Sequence, residues 1–98
     1  MMSEVSVYTA LSLAKVRMNR MSSELDEYLE ARIRAAIGAL EQTGISLTDS
    51  VDDIMLVTDY AVWQYQNRDK PGDMPEWLRL MRRERWLTNR GEAKADDT

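Results

Sequence analysis

Residues 51–68 read VDDIMLVTDYAVWQYQNR, and this stretch decides the fold because it predicts a helix with two apolar faces. At about 100° per residue one face carries seven side chains. They are Val51, Ile54, Met55, Thr58, Ala61, Val62 and Tyr65. Leu56, Tyr60 and Trp63 fall almost opposite to them. A surface helix usually has a single apolar stripe, so both faces of this helix need a cover, from its own chain or from another one. The stretch therefore predicts the central helix of the domain.

Three further helices are predicted around the central one, at about residues 5–21, 24–43 and 75–89. Gly44 supplies the left-handed position that ends the second helix, and Thr48, Asp49 or Ser50 caps the central one. Two prolines and a glycine in KPGDMP break the chain before the last helix, which we expect to bury Trp77, Leu80, Met81 and Leu87. No stretch alternates with the period of a strand. The sequence predicts one all-α bundle of about four helices over residues 1–90 and a disordered tail over 91–98, GEAKADDT.

The composition argues against several classes of function. The 98 residues contain no cysteine and no histidine, which removes disulfides, thiolate zinc sites and the commonest general base. The four glycines are isolated, so no loop that cradles phosphate is expected. An enzyme would have to work with Asp or Glu alone, and we therefore expect neither catalysis nor a cofactor. The longest uncharged run, residues 5–14, is too short to span a bilayer, and we expect a protein made in the cytoplasm.

The last helix carries a strongly basic face. Between Arg79 and Arg90 there are five arginines against one glutamate, although the whole chain has a net charge of −4. Arg79, Arg82 and Arg83 project together, beside Trp86. Three interpretations stay open: a solvated face, a contact with DNA phosphates, and a contact with an acidic surface of a partner. In the third interpretation, the acidic surface would consist of Asp49, Asp52, Asp53 and Asp59 of another copy.

The second face of the central helix also has two interpretations. Leu56, Tyr60 and Trp63 are either part of the subunit's own core or part of an interface between subunits. Tyrosine and tryptophan contribute strongly to interfaces, and a chain of this length has little mass to cover them. We therefore include these three residues, with the arginine face and the aspartates, as interface candidates.

The order of these features resembles a known family. The segments that carry the resemblance are LDEYLEARIRAAIGALEQTGISL, DDIMLVTDYAVWQYQNRD and MPEWLRLMRRERWL. The chain resembles the small head–tail connector proteins of long-tailed bacteriophages, and the resemblance covers about residues 5–90. The matching positions are Asp26, Thr43–Gly44, the segment from Tyr65 to Arg68, Met74–Pro75 and Leu78–Arg79.

The resemblance implies a structural protein of the virion neck without catalytic activity. Such a protein would form a homo-oligomeric ring, usually of about a dozen subunits, built from heterologous contacts. The ring would lie beneath the portal protein at the head–tail junction, extend the channel through which DNA passes, and bind the next neck or tail-completion protein. The alternative function is a small helical regulatory module that binds protein or DNA through its arginine-rich last helix.

Overall fold

Four α-helices joined by short connections make up the computed structural model of this chain. The structure describes residues 2–19, 22–69 and 72–95, with side chains up to residue 89. The helices are α1 (Glu4–Arg17), α2 (Asp26–Gln42), α3 (Val51–Gln66) and α4 (Glu76–Ala95). No strand occurs among the described residues. The prediction of an all-α fold with four helices is therefore confirmed.

Two helix boundaries differ from the predicted ones. α1 ends at Arg17 rather than near Met21, because Asn19 has a φ angle of 56°, a left-handed conformation that a helix does not accommodate. Residues 20 and 21 lie outside the described residues. The backbone of α4 continues to Ala95 instead of ending near Asn89. The residues after Gly91 are good helix formers, and one glycine does not end the helix. Residues 96–98 lie outside the described residues.

Local sequence sets the end of α2 and the start of α3. Ser50 caps α3, because its hydroxyl oxygen accepts a hydrogen bond from the backbone N–H of Asp53 at 3.2 Å. Gly44 follows α2 with a φ angle of 101°, a conformation that glycine adopts without steric cost. Both predictions from the sequence are confirmed. The connection between α2 and α3, residues 43–50, is thereby fixed at each end.

α3 is the central helix, since it packs against α1, α2 and α4. One face contacts α1 and α2, where small and branched side chains allow the helices to approach closely. The buried residues that α1 and α2 contribute include Val7, Ala10, Ala14, Leu29, Ile33, Ala36 and Leu40. Ile45 and Leu47 of the connection close the end of this core.

α4 covers the second face of α3. Among the described helices, α3 is the one against which α4 packs. Leu56 is 2% exposed and Tyr60 is 9% exposed, and both belong to the same buried cluster as Leu78 of α4. Trp63 is partly buried against this cluster, with its ring in an edge contact with Tyr60 at 6.0 Å between centroids. The hypothesis that Leu56 and Tyr60 form a subunit interface is therefore corrected, because their own chain covers them.

Candidate interaction site on the last helix

Hydrogen bonds to the connection between α2 and α3 set the position of α4. Trp86 donates from Nε1 to the carbonyl oxygen of Thr43 at 2.9 Å. Asn89 donates from Nδ2 to the carbonyl of Gly44 at 3.1 Å, and its Oδ1 accepts from the N–H of Ser46 at 3.1 Å. The last carbonyl groups of a helix lack partners within that helix. α4 therefore completes the hydrogen bonding at the end of α2, and this fixes which way Trp86 points.

A buried ion pair joins α4 to the start of α3. Arg85 donates from Nε to Oδ1 of Asp53 at 2.6 Å and from Nη2 to the carbonyl of Ser46 at 2.7 Å. The other carboxylate oxygen of Asp53 accepts from the N–H and hydroxyl of Thr48 at 2.7 and 2.9 Å. Burial alone would raise the pKa of Asp53, but these hydrogen bonds outweigh it, and the pKa lies below its ordinary value. The side chain of Asp53 is 1% exposed, so this aspartate supports the fold. The prediction that Asp53 belongs to an interface is therefore corrected.

The basic face of α4 forms a concave surface, which we name the arginine groove. Arg79, Arg82, Arg83 and Trp86 line it together with Thr43, around a volume of about 380 Å³. The sequence predicted that the three arginines and Trp86 share one side of the helix, and the structure places them together. Thr43, which borders the groove, is the residue that caps the C-terminal end of α2, and α2 has no basic side chain in its last turn. Cations from α4 therefore lie near the negative end of the α2 dipole.

Within the described residues, the three groove arginines form no ion pair with a carboxylate. Other basic residues do: Lys15 pairs with Asp26, Arg17 with Asp59, Arg34 with Glu4 and Glu30, and Arg85 with Asp53. Three like charges close together repel one another, and a bound anion relieves that repulsion. The arginine groove can therefore bind carboxylate or phosphate groups of another molecule.

The aspartates predicted as the complementary surface are mostly engaged within the chain. Asp49 accepts from the N–H of Ser3 and the hydroxyl of Ser6, both at 2.7 Å, and these bonds lower the pKa of Asp49. Asp59 is buried against Arg17. Burial raises the pKa of Asp59, and the nearby guanidinium only partly offsets it. Of the predicted acidic segment, Asp49 and Asp52 are exposed, but only the carboxylate of Asp52 is without a hydrogen bond among the described residues. The segment is therefore not the continuous acidic surface that the sequence suggested.

A second groove lies between α3 and α4, and sequence reasoning missed it. Its volume is about 530 Å³. Met55, Leu56 and Met81 supply its apolar lining, while Asp52 and Glu84 supply acidic groups. The periodicity had placed Met55 on the other face of α3, with the core. We name this surface the acidic groove.

Three apolar residues of α4 that the sequence predicted as buried are exposed. Trp77 and Leu80 are each 47% exposed and Leu87 is 49% exposed, whereas Leu78 is fully buried. The core-facing side of α4 is therefore rotated from the predicted one. Trp77 is covered in part by the guanidinium of Arg17, at 5.6 Å from the ring centroid, which is a cation–π distance. Leu80 and Leu87 have no such cover among the described contacts.

Within the part of the chain that the structure describes, no group of three or more acidic side chains could hold a metal ion. None of the described helices is both long and apolar enough to cross a membrane. Comparisons with family models, curated proteins and solved structures gave no match to this chain. The resemblance to head–tail connectors therefore stays a prediction.

Proposed function

We propose that this protein is a structural adaptor, a neck subunit of the head–tail connector kind, that binds partner proteins and performs no catalysis. The observation that carries the proposal is the arginine groove, where three arginines converge without an ion-paired carboxylate among the described residues. A surface on which three arginines lie together without a paired carboxylate is suited to an anionic partner. The resemblance in residues 5–90 supplies the context of a ring between portal and tail.

The charge of the whole protein favours an acidic protein surface over DNA as that partner. A net charge of −4 repels a long polyanion such as duplex DNA, while an acidic patch on a protein presents its charge locally. Exposed ion pairs contribute only about 0.2–1 kcal/mol each, so several pairs must act together. In a ring every subunit repeats the same contact, so the number of ion pairs is multiplied by the number of subunits.

The first test is the mass of the complex in solution. We expect a portal gene to lie beside the gene of this protein, and the mass measured for a mixture of the two proteins to rise to that of a portal with a ring of this protein. A mixture in which both proteins keep their separate masses over the accessible range of concentration would contradict the proposal.

A matched pair of charge reversals tests the groove itself. We expect Arg82→Glu to weaken binding to the portal, because it reverses a charge in the arginine groove. Arg32→Glu makes the same change of charge on α2, where the guanidinium of Arg32 hydrogen-bonds to the hydroxyl of Tyr28 and lies over its ring, and it should leave binding unchanged. Equal effects of the two substitutions would show that net charge, rather than the groove, controls binding.

The regulatory module stays the alternative, and two simple probes separate it from the connector. A polyglutamate peptide presents carboxylates, and a short DNA duplex presents phosphates. We expect the peptide to bind, with Arg82→Glu reducing its affinity, and the duplex to bind less well at equal salt concentration. Tight binding of the duplex, lost in Arg82→Glu, would favour the module that binds DNA.

A further inference from the structure

We propose that the acidic groove receives the outer surface of α4 from a second copy of this chain, in a contact that repeats head to tail. The proposal rests on the proposed function in one respect, since it supplies the contact from which a ring can form. The residues of this contact differ from those of the arginine groove, except that Arg83 belongs to both. Three features of the described surface support it.

The first feature is an exposed ridge on α4, which consists of Leu80, Arg83 and Leu87. The two leucines are about half exposed, and the three residues follow at positions i, i+3 and i+7 of one helix. A helix that docks into a groove of another protein typically uses anchors at this spacing. Two leucines exposed together on a helix of a small protein mark a surface that benefits from burial.

The second feature is the chemistry of the acidic groove. Met55 is 38% exposed, and it lines the groove with Met81, which is partly buried. Methionine side chains are flexible and polarizable, and they adapt their shape to a docked apolar group. Asp52 and Glu84 add negative charge to the same lining. Arg85 also lines the groove, but its guanidinium bonds to Asp53 and Ser46.

The third feature is that ridge and groove complement each other. Leucines of the ridge match the methionine lining of the groove, and Arg83 of the ridge matches Asp52 and Glu84. A single copy cannot make this contact with itself, because Leu80 and Met81 are adjacent on α4 and therefore point about 100° apart. Each copy thus offers one ridge and one groove to two different neighbours. Such heterologous contacts generate a closed ring or an open filament.

Two variants, each damaged on one side of the contact, provide the test. The ridge variant carries Leu80→Asp and Leu87→Asp, and the groove variant carries Asp52→Arg and Met55→Arg. We expect the wild type to self-associate as its concentration rises, and each variant alone to do so at least about tenfold more weakly. An equimolar mixture should form a heterodimer and nothing larger, because only one intact ridge then meets one intact groove.

The two variants distinguish the proposed contact from one of ridge with ridge or of groove with groove, because either of these would leave one variant able to self-associate. A wild type that stays monomeric at all concentrations would overturn the proposal, and so would a mixture that behaves like its two separate components. Formation of larger assemblies by either variant alone, with the affinity of the wild type, would overturn it as well. Circular dichroism spectra and melting curves should match those of the wild type, since the replaced side chains are exposed or partly exposed.

A charge exchange provides a second set of variants in case the aspartate substitutions disturb α4. We expect Arg83→Glu to weaken self-association, and the added change Asp52→Arg to restore it in part. Failure of the second change to restore any association would locate Arg83 elsewhere than opposite Asp52 and would contradict this contact.

Two control substitutions separate this proposal from the proposed function. Val16→Asp places a charge at a residue of α1 that is 65% exposed and lies outside both grooves, so self-association should be unchanged. Arg82→Glu should weaken binding to the portal protein but not self-association. Loss of self-association with retained portal binding in the ridge variant would confirm that the two surfaces act separately.

Discussion

The two faces of α3 are covered in different ways. Toward α1 and α2, apolar packing dominates beside the ion pair of Asp59 with Arg17, and three alanines, Ala10, Ala14 and Ala36, are at most 2% exposed. Toward α4, apolar packing is joined by a polar network that includes Asp53, Arg85 and Trp86. Close packing of small side chains fixes the distance between helices, whereas directional hydrogen bonds fix register and rotation. The comparison shows that a last helix that packs against one other helix needs polar contacts to determine which side it presents to solvent.

Breaking the polar network should have the largest effect on stability. We expect Asp53→Ala to lower the free energy of unfolding by about 3–5 kcal/mol, because it leaves Arg85 without its buried partner. Asp52→Ala is the matched control on the next residue, and its exposed side chain should cost about 0.5 kcal/mol or less. Urea unfolding of both variants makes the measurement. A loss below that range for Asp53→Ala would mean that water replaces the carboxylate.

Truncating one apolar residue on each face tests whether both faces are core. Leu56→Ala on the face toward α4 should cost about 2–5 kcal/mol, and Ile33→Ala, which removes packing under the other face, should cost a similar amount. Both residues are at most 2% exposed. A cost for Leu56→Ala well below that of Ile33→Ala, measured by the same unfolding curves, would mean that α4 covers its face only loosely.

The hydrogen bond of Trp86 should contribute less than either of these. Trp86→Phe keeps an aromatic ring but removes the indole N–H that donates to Thr43, so we expect a loss of about 0.5–1.5 kcal/mol. The melting temperature should fall accordingly. A variant as stable as the wild type would show that water satisfies this carbonyl equally well.

The smallest expected effect concerns pH and the two buried aspartates of α3. Burial raises the pKa of Asp59, so the folded state holds this proton more tightly than the unfolded state, and acidification through this range favours folding. The pKa of Asp53 is lowered, so its contribution to stability is lost as the pH falls below the ordinary range for aspartate. Asp59→Asn should therefore make the loss of stability in mild acid slightly steeper.

Unfolding of Asp59→Asn and wild type at a series of pH values checks this expectation. The matched substitution Asp53→Asn removes the other group, so the decline of stability in acid should become shallower. If the stability of Asp59→Asn fell less steeply in acid than that of the wild type, the pKa of Asp59 would be lowered by folding and not raised.

The sequence predicts local features of this fold well and distant contacts poorly. The four helices, the two-faced α3 and the end of α2 at Gly44 follow from periodicity and from the conformational range of glycine. The side of α4 that faces the core does not, because its apolar residues lie on more than one side. Leu78 is buried while Trp77 and Leu80 are exposed. The hydrogen bonds of Trp86 and Asn89 to the connection between α2 and α3 set the rotation of α4, and this rotation determines which of its apolar residues face the core.

The candidate site shows the same division. The clustering of Arg79, Arg82 and Arg83 is a property of helical spacing and was predicted. The fate of the aspartates was not, because their partners are distant in the sequence: Asp53 pairs with a residue 32 positions away and Asp59 with one 42 positions away. No local pattern reveals such pairs. The acidic groove likewise exists only once two helices are side by side.

The network between α4 and residues 43–53 also constrains the order of folding. Its acceptors are the carbonyl groups of Thr43 and Gly44 at the end of α2 and the carboxylate of Asp53 near the start of α3. These groups reach their final places only when α2 and α3 have formed and turned back on each other. Among the described helices α4 packs against α3 and reaches α1 through the contact of Trp77 with Arg17, so its departure disrupts no packing between the other three. The last helix therefore has the character of a separate cooperative unit, one that completes the fold after the first three helices and opens before them.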